Sequence, residues 1–307
     1  MALYKLYSYN VEIQYKNNLL SKAALFTALT ALINVILPFI IAYKSKGFWL
    51  QSYYFYEQPS VQSSYEYLLI AETDDPSITV ICGRTAALNY DIENEEFCAV
   101  TEVREEDINV DGKNDILEFN IKLIIPSDRT LVSVILILGV DVQILNTCPL
   151  QMQSLAIINK EFSVPPNGLK YYGDLLIYQS THLPCLKNIL DTKYNDSLFY
   201  HINNDNKNVV DFILEEYLRR EVISTVNLIY FKTQNGDMGT MDLNVILRIP
   251  EMQIRYTPSL LQELKWAWPQ YLSLAFIFYH LIEKIKKLVF RQRLFMSWEI
   301  VPWKKNM

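Results

Sequence analysis

Apolar and polar positions follow different rules in different parts of this chain. Between Lys22 and Lys44 lie 21 residues without a charge, AALFTALTALINVILPFIIAY. At 1.5 Å per residue they reach across the roughly 30 Å of a hydrocarbon core, so the run predicts a transmembrane helix over 23–43. A cleaved signal peptide fits less well, because its apolar core is only about 7 to 15 residues long. Asn34 and Pro38 interrupt the run without breaking the prediction, since spanning helices tolerate both. A second uncharged run, WAWPQYLSLAFIFYHLI, has 17 residues between Lys265 and Glu283 and predicts a second span over 266–282. Trp266, Trp268 and Tyr271 anchor one end, and Lys284, Lys286, Lys287, Arg291 and Arg293 follow the other.

Between these runs the pattern shifts to short segments rich in Val, Ile, Tyr and Phe, separated by turn residues. Strands are predicted at Tyr67 to Ala71, Ile78 to Cys82, Ile116 to Ile125, Leu131 to Leu145, Leu169 to Tyr178, Val222 to Phe231 and Leu243 to Tyr256. That spacing favours a β-sandwich. The apolar stretch LVSVILILGV at Leu131 is too short to cross as a helix and reads as a buried strand. One segment breaks the rule: VVDFILEEYLRR, from Val209 to Arg220, repeats its apolar residues at helical spacing and predicts a helix packed on the sheet. The aromatic stretch from Phe48 to Tyr56 is expected at the outer membrane interface.

The predicted fold class is therefore a membrane protein, two transmembrane α-helices flanking a β-rich, sandwich-like extracytoplasmic domain with at least one helix. The boundaries are 1–22 for an N-terminal tail, 23–43, 44–265 for the β-rich domain, 266–282, and 283–307 for a basic C-terminal tail.

Charge supplies the orientation. The net charge of −6 gives no case for a nucleic-acid partner. After Glu283 the tail carries seven Lys or Arg, which places the C-terminus in the cytoplasm by the positive-inside rule, and with two spans the N-terminus shares that side. Residues 44–265 then lie outside, with 18 basic and 31 acidic groups. Cys82, Cys98, Cys148 and Cys185 all fall in this region, which suits an oxidising compartment. They allow two disulfides in three connectivities, or four buried thiols. The same region holds the glycosylation acceptor Asn195-Asp196-Ser197.

One motif carries candidate chemistry. In DINVDGKNDILE, Asp107, Asn109, Asp111, Lys113, Asp115 and Glu118 stand where a calcium loop places its ligands, with Gly112 at the sharp turn. Lys113 would offer its backbone carbonyl and Glu118 would close the shell. Two features pull against it: Asn114 replaces the usual apolar residue, and Ile116 to Ile125 reads as a strand. The same residues also make an Asp/Asn/Gly turn between strands. Calcium, if bound, would be structural. His182, His201 and His280 are scattered, and no nucleophile elbow, phosphate loop or paired-His zinc spacing appears, so no enzymatic activity and no required cofactor are expected. The basic run Lys284 to Arg293 serves either as a positive-inside anchor or to bind anionic inner-leaflet lipids. An accessory subunit of a membrane transporter and a calcium-dependent adhesion or receptor protein share this layout and stay open.

Several segments resemble the transmembrane protein 231 family. They are Met1-Ala2-Leu3-Tyr4, Ser21-Lys22-Ala23-Ala24-Leu25-Phe26, Gly47-Phe48-Trp49-Leu50, Glu57-Gln58-Pro59, Arg104 to Phe119, Met152-Gln153-Ser154, Gly173-Asp174-Leu175 and Ala267-Trp268-Pro269-Gln270-Tyr271. The most specific is REEDINVDGKNDILEF. The resemblance implies a non-enzymatic component of the tectonic-like (Meckel syndrome) complex at the ciliary transition zone. There the family helps form the barrier that controls entry of membrane proteins into the cilium, and supports cilium assembly and Hedgehog signalling. It implies other transition-zone proteins as partners, and carries over no catalytic residue.

Overall fold

The computed structural model describes residues 13–18, 20–45, 47–75, 79–84, 98–125, 129–185, 189–199, 209–234 and 239–300. In chain order the elements are β1 (Gln14–Lys16), α1 (Lys22–Lys44), β2 (Tyr53–Glu57), β3 (Ser60–Thr73), β4 (Thr79–Arg84), β5 (Cys98–Glu106), β6 (Ile116–Ile124), β7 (Leu131–Ile144) and β8 (Leu150–Glu161). There follow β9 (Gly168–Gln179), β10 (Leu183–Pro184), β11 (Asp191–Tyr194), α2 (Val209–Leu218), β12 (Val222–Gln234), β13 (Thr240–Arg248), β14 (Met252–Thr257), α3 (Leu260–Arg291) and β15 (Trp298–Ile300). They form two units, one from Met1–Gln51 and Pro258–Met307, the other from Ser52–Thr257.

In the first unit the uncharged run folds as α1, capped by the Ser21 hydroxyl, which accepts the Ala24 N–H at 3.2 Å. Only Ala23, Thr30, Pro38 and Ala42 are buried along it, a single stripe at helical spacing. α3 packs antiparallel on α1: Phe290 lies against Tyr15 and Phe26, and Ala267 joins Ala42 and Phe48 in a small cluster. Elsewhere both helices leave apolar side chains exposed, among them Leu25, Leu32, Val35 and Phe39 on α1 and Leu272, Phe276, Leu281 and Leu288 on α3. α1 is long and apolar enough to cross a membrane. α3 starts before the predicted 266 and continues through the basic run to Arg291. Beyond the helices, β1 and β15 pair antiparallel.

The second unit is the expected sandwich. One five-stranded sheet has the order β11-β8-β7-β3-β4, the other β12-β9-β13-β6-β5, and β10-β14-β2 forms a smaller third sheet. Leu136, Leu138, Val140 and Val142 of β7 meet Leu117, Phe119, Leu243 and Val245 of the opposite sheet in the core. Ile137 and Leu68 point the other way, to a second cluster under Ile213 and Tyr217 of α2. Covered on both faces, β7 has to be apolar at nearly every position, which is why it read as a continuous run. The Tyr217 hydroxyl is buried against Ser154 Oγ at 2.7 Å and accepts the Ser224 N–H at 2.8 Å, tying α2 to β8 and β12.

The segment Leu243 to Tyr256, expected as one strand, is two. Ile249-Pro250-Glu251 separates β13 from β14, and the strands enter different sheets, because Pro250 has no N–H to give a ladder. Of the stretch expected at the membrane interface, Tyr53 to Tyr56 belongs to β2.

Candidate functional site

The acidic motif forms the hairpin loop from β5 to β6. Its carboxylates are turned to the loop's own amides. Asp107 accepts the N–H groups of Asp111 and Gly112 at 3.2 and 2.8 Å, and Asp111 accepts that of Lys113 at 2.8 Å. Asn109 Oδ1 accepts the Asp111 N–H at 3.0 Å. Asp115 Oδ2 accepts from Ile108 and Asn109 at 2.8 and 3.2 Å. Gly112 has φ 84° and Val110 φ 59°, so the backbone turns left-handed twice. The apolar Ile108 and Val110 are exposed at the tip.

From that base the loop reaches segments far away in the chain. The Gln58 side-chain amide donates to Asp115 Oδ1 at 2.8 Å, and this bond, followed by the Ile108 amide, holds the Asp115 carboxyl below the usual carboxylate range. Lys113 Nζ donates to the Gln58 carbonyl at 2.6 Å and lies 3.7 Å from Glu57 Oε1. Glu57 is buried, and its Oε1 also accepts the N–H groups of Leu145 and Asn146 at 3.3 and 3.4 Å. Asn114 Nδ2 donates to the Val61 carbonyl and to Glu105, whose other oxygen accepts the Ser63 N–H. Ile249 N–H donates to the Asp115 carbonyl at 2.8 Å. The arrangement is a clasp. It fastens the β5–β6 loop to the β2–β3 corner, the β7–β8 turn and the end of β13.

The six predicted calcium ligands thus divide. Asp107, Asn109, Asp111, Lys113 and Asp115 share one loop, from which the Lys113 ammonium reaches the β2–β3 corner. Glu118 stands in β6, between the buried Leu117 and Phe119, so strand alternation turns it to the opposite face. There its carboxylate accepts from Asn120 at 3.2 Å and Asn244 at 2.7 Å, and Asn244 also donates to Asn120. Among the described residues no group of three or more His, Cys, Asp or Glu side chains is placed to hold a metal ion. Sequence reading had no hold on Glu57, Gln58 and Glu105 as partners of this loop, although Glu57-Gln58-Pro59 carries the one charged side chain in an aromatic stretch.

Asn195 is exposed just after β11. Its neighbours are fixed: the Ser197 hydroxyl donates to Glu66 at 2.8 Å, and Arg220 donates to the carbonyls of Asp196 at 3.2 Å and Gln153 at 2.6 Å. Burial lowers the pKa of the Arg220 guanidinium from its ordinary value. Cys148 and Cys185 form a disulfide with Cα atoms 5.0 Å apart. Cys82 is disulfide-bonded as well, so four free thiols are excluded; the Cys98 side chain and residues His201 to Asn206 lie outside the described residues.

A sequence profile described as "Transmembrane protein 231" matches residues 1–299. Human transmembrane protein 231 is 34% identical over 301 residues, covering 95% of this chain and 93% of its own. The Gallus gallus protein of that name is 32% identical over 311 residues, covering 98% and 95%. The Xenopus tropicalis protein is 31% identical over 299 residues, covering 95% and 94%.

Proposed function

We propose, because the chain belongs to the transmembrane protein 231 family, that it is a non-enzymatic structural component of the ciliary transition zone. In this reading it joins the tectonic-like complex, whose membrane diffusion barrier controls which proteins populate the ciliary membrane, and it is needed for cilium assembly and Hedgehog signalling. What carries the reading is the extent of the similarity, which runs through both helices and the sandwich rather than through one motif. The role needs no cofactor. Its partners are other membrane and peripheral proteins of the same zone.

The proposed topology has two spans and both termini in the cytoplasm. The exposed apolar side chains Leu272, Phe276, Ile277 and Leu281 in the uncharged middle of α3 support the second span. The sandwich, with its disulfide and the exposed acceptor Asn195, then lies outside the cytoplasm. A tagged copy expressed in ciliated cells tests the role: a focus at the ciliary base is expected, and a uniform plasma-membrane signal would overturn it.

A further inference from the structure

The end of the helical unit where β1 pairs with β15 is basic and holds a cavity. Residues 13–24 and 283–300 carry seven Lys and Arg against two Glu. Glu283 lies 3.9 Å from Lys286, whereas Lys16, Lys22, Lys287 and Arg291 have no ion-pair partner among the described residues. The cavity measures about 190 Å³ and is lined by Tyr15, Lys16, Asn17, Thr27, Phe290 and Ser297, with the first turn of α1. Tyr15 and Phe290 stack at 5.3 Å and form its aromatic wall.

The polar lining separates into spent and unspent groups. Asn17 Nδ2 donates to the Met296 carbonyl at 2.6 Å and its Oδ1 accepts the Asn18 N–H at 2.8 Å. The Thr27 hydroxyl donates to the Ala24 carbonyl at 2.8 Å. The Lys16 ammonium and the Ser297 hydroxyl make no side-chain hydrogen bond among the described residues. The exposed Lys16 ammonium with three donors and no acceptor, the half-buried Ser297 hydroxyl and the positive end of α1 line one cavity, a donor set that suits an anion with several acceptor oxygens. The volume, about six water molecules at roughly 30 Å³ each, admits a phosphate and the carbons next to it but no acyl chain.

We propose that this cavity binds the phosphate of an anionic phospholipid headgroup. The inference rests on the two-span reading, which puts this end of the helices at a bilayer surface, and it differs from diffuse attraction in naming Lys16 and Ser297 as the phosphate donors. Diffuse attraction would use every basic residue there equally.

The test titrates the purified full chain in detergent with short-chain phosphatidic acid, short-chain phosphatidylcholine and inorganic phosphate. Phosphatidic acid is expected to bind best. K16Q should weaken it about tenfold and S297A about threefold, the losses expected for a charged and a neutral hydrogen bond, while K284Q changes it less than about twofold. Equal losses in K16Q and K284Q would overturn the built site, as would binding of phosphatidylcholine with the same affinity. Inorganic phosphate binding more tightly than the lipid would overturn the lipid source. Circular dichroism and Tm confirm that each variant is folded. Protease protection of the two tails in sealed vesicles reads the two-span topology independently, so loss of that topology and loss of phosphate binding are told apart.

Discussion

Removing the cation from the clasp is expected to be costly. Glu57 is 4% exposed, its Oε2 has no hydrogen-bond partner, and Lys113 is its one counter-charge among the described residues. At 3.7 Å the attraction amounts to about 4.5 kcal/mol at an effective dielectric of about 20, before desolvation is subtracted. K113M leaves the carboxylate buried and unpaired, and should cost about 3 kcal/mol, the low end for a broken buried pair because the Lys113 side chain is 24% exposed. E57Q keeps the volume and the acceptor for Leu145 and Asn146, and should cost about 1 kcal/mol. The double variant should cost about 1.5 kcal/mol rather than their sum, a coupling of about 2.5 kcal/mol. Urea unfolding of the full chain in detergent, followed by far-ultraviolet circular dichroism, measures all four. If K113M lies within about 0.5 kcal/mol of wild type, or the two losses simply add, the clasp does not hold the sandwich as argued.

The disulfide closes a separation of 37 residues, so C148S/C185S should cost about 4 kcal/mol and roughly 10 °C in Tm; an unchanged Tm would mean that the unfolded chain is already compact there. A Cβ on Gly139 would run into Ser64 Oγ beneath the β3 bulge, and G139A should cost about 2 kcal/mol in the same unfolding assay; no loss would mean the bulge relaxes freely. Asp115 titrates below its usual range, so its contribution is present above about pH 3.9 and disappears as the pH falls through the lower folded value; D115N should therefore destabilise at neutral pH and converge with wild type in acid. With the loop oxygens already on backbone amides, Tm should be the same in calcium and in chelator, and a rise of several degrees with calcium would show that the loop rearranges around the ion.

How far the chain could be read in advance depended on whether one physical pattern dominated each segment. α1 was legible because no charge interrupts it, β7 because both its faces are buried, and α2 because Ile213 and Tyr217 fall one turn apart under a polar back. β8 was not predicted: Gln151, Gln153 and Ser154 break its apolar pattern, yet Ser154 is buried because Tyr217 and Ser224 complete its hydrogen bonds. The acidic loop was visible as a motif, and its turn chemistry as an alternative. The strand expected over Ile116 to Ile125 already stood against Glu118 as the residue that closes the shell. Glu57 and Gln58 could not be assigned to the loop, since pairing across 55 and 57 residues leaves no periodic trace in either segment.

The β2–β14 pair has a mechanical consequence. The sandwich unit receives its chain on one of these strands and releases it from the other, with Tyr53 opposite Tyr256 at the open end and Glu57 opposite Met252 at the far end. Tension that draws the two flanking helices apart therefore loads a single rung at a time, and the pair is expected to open like a zip from Tyr53 and Tyr256. The strands of the two large sheets are not on that path. The rung carrying Glu57 comes last, so the lysine that holds it acts as the stop.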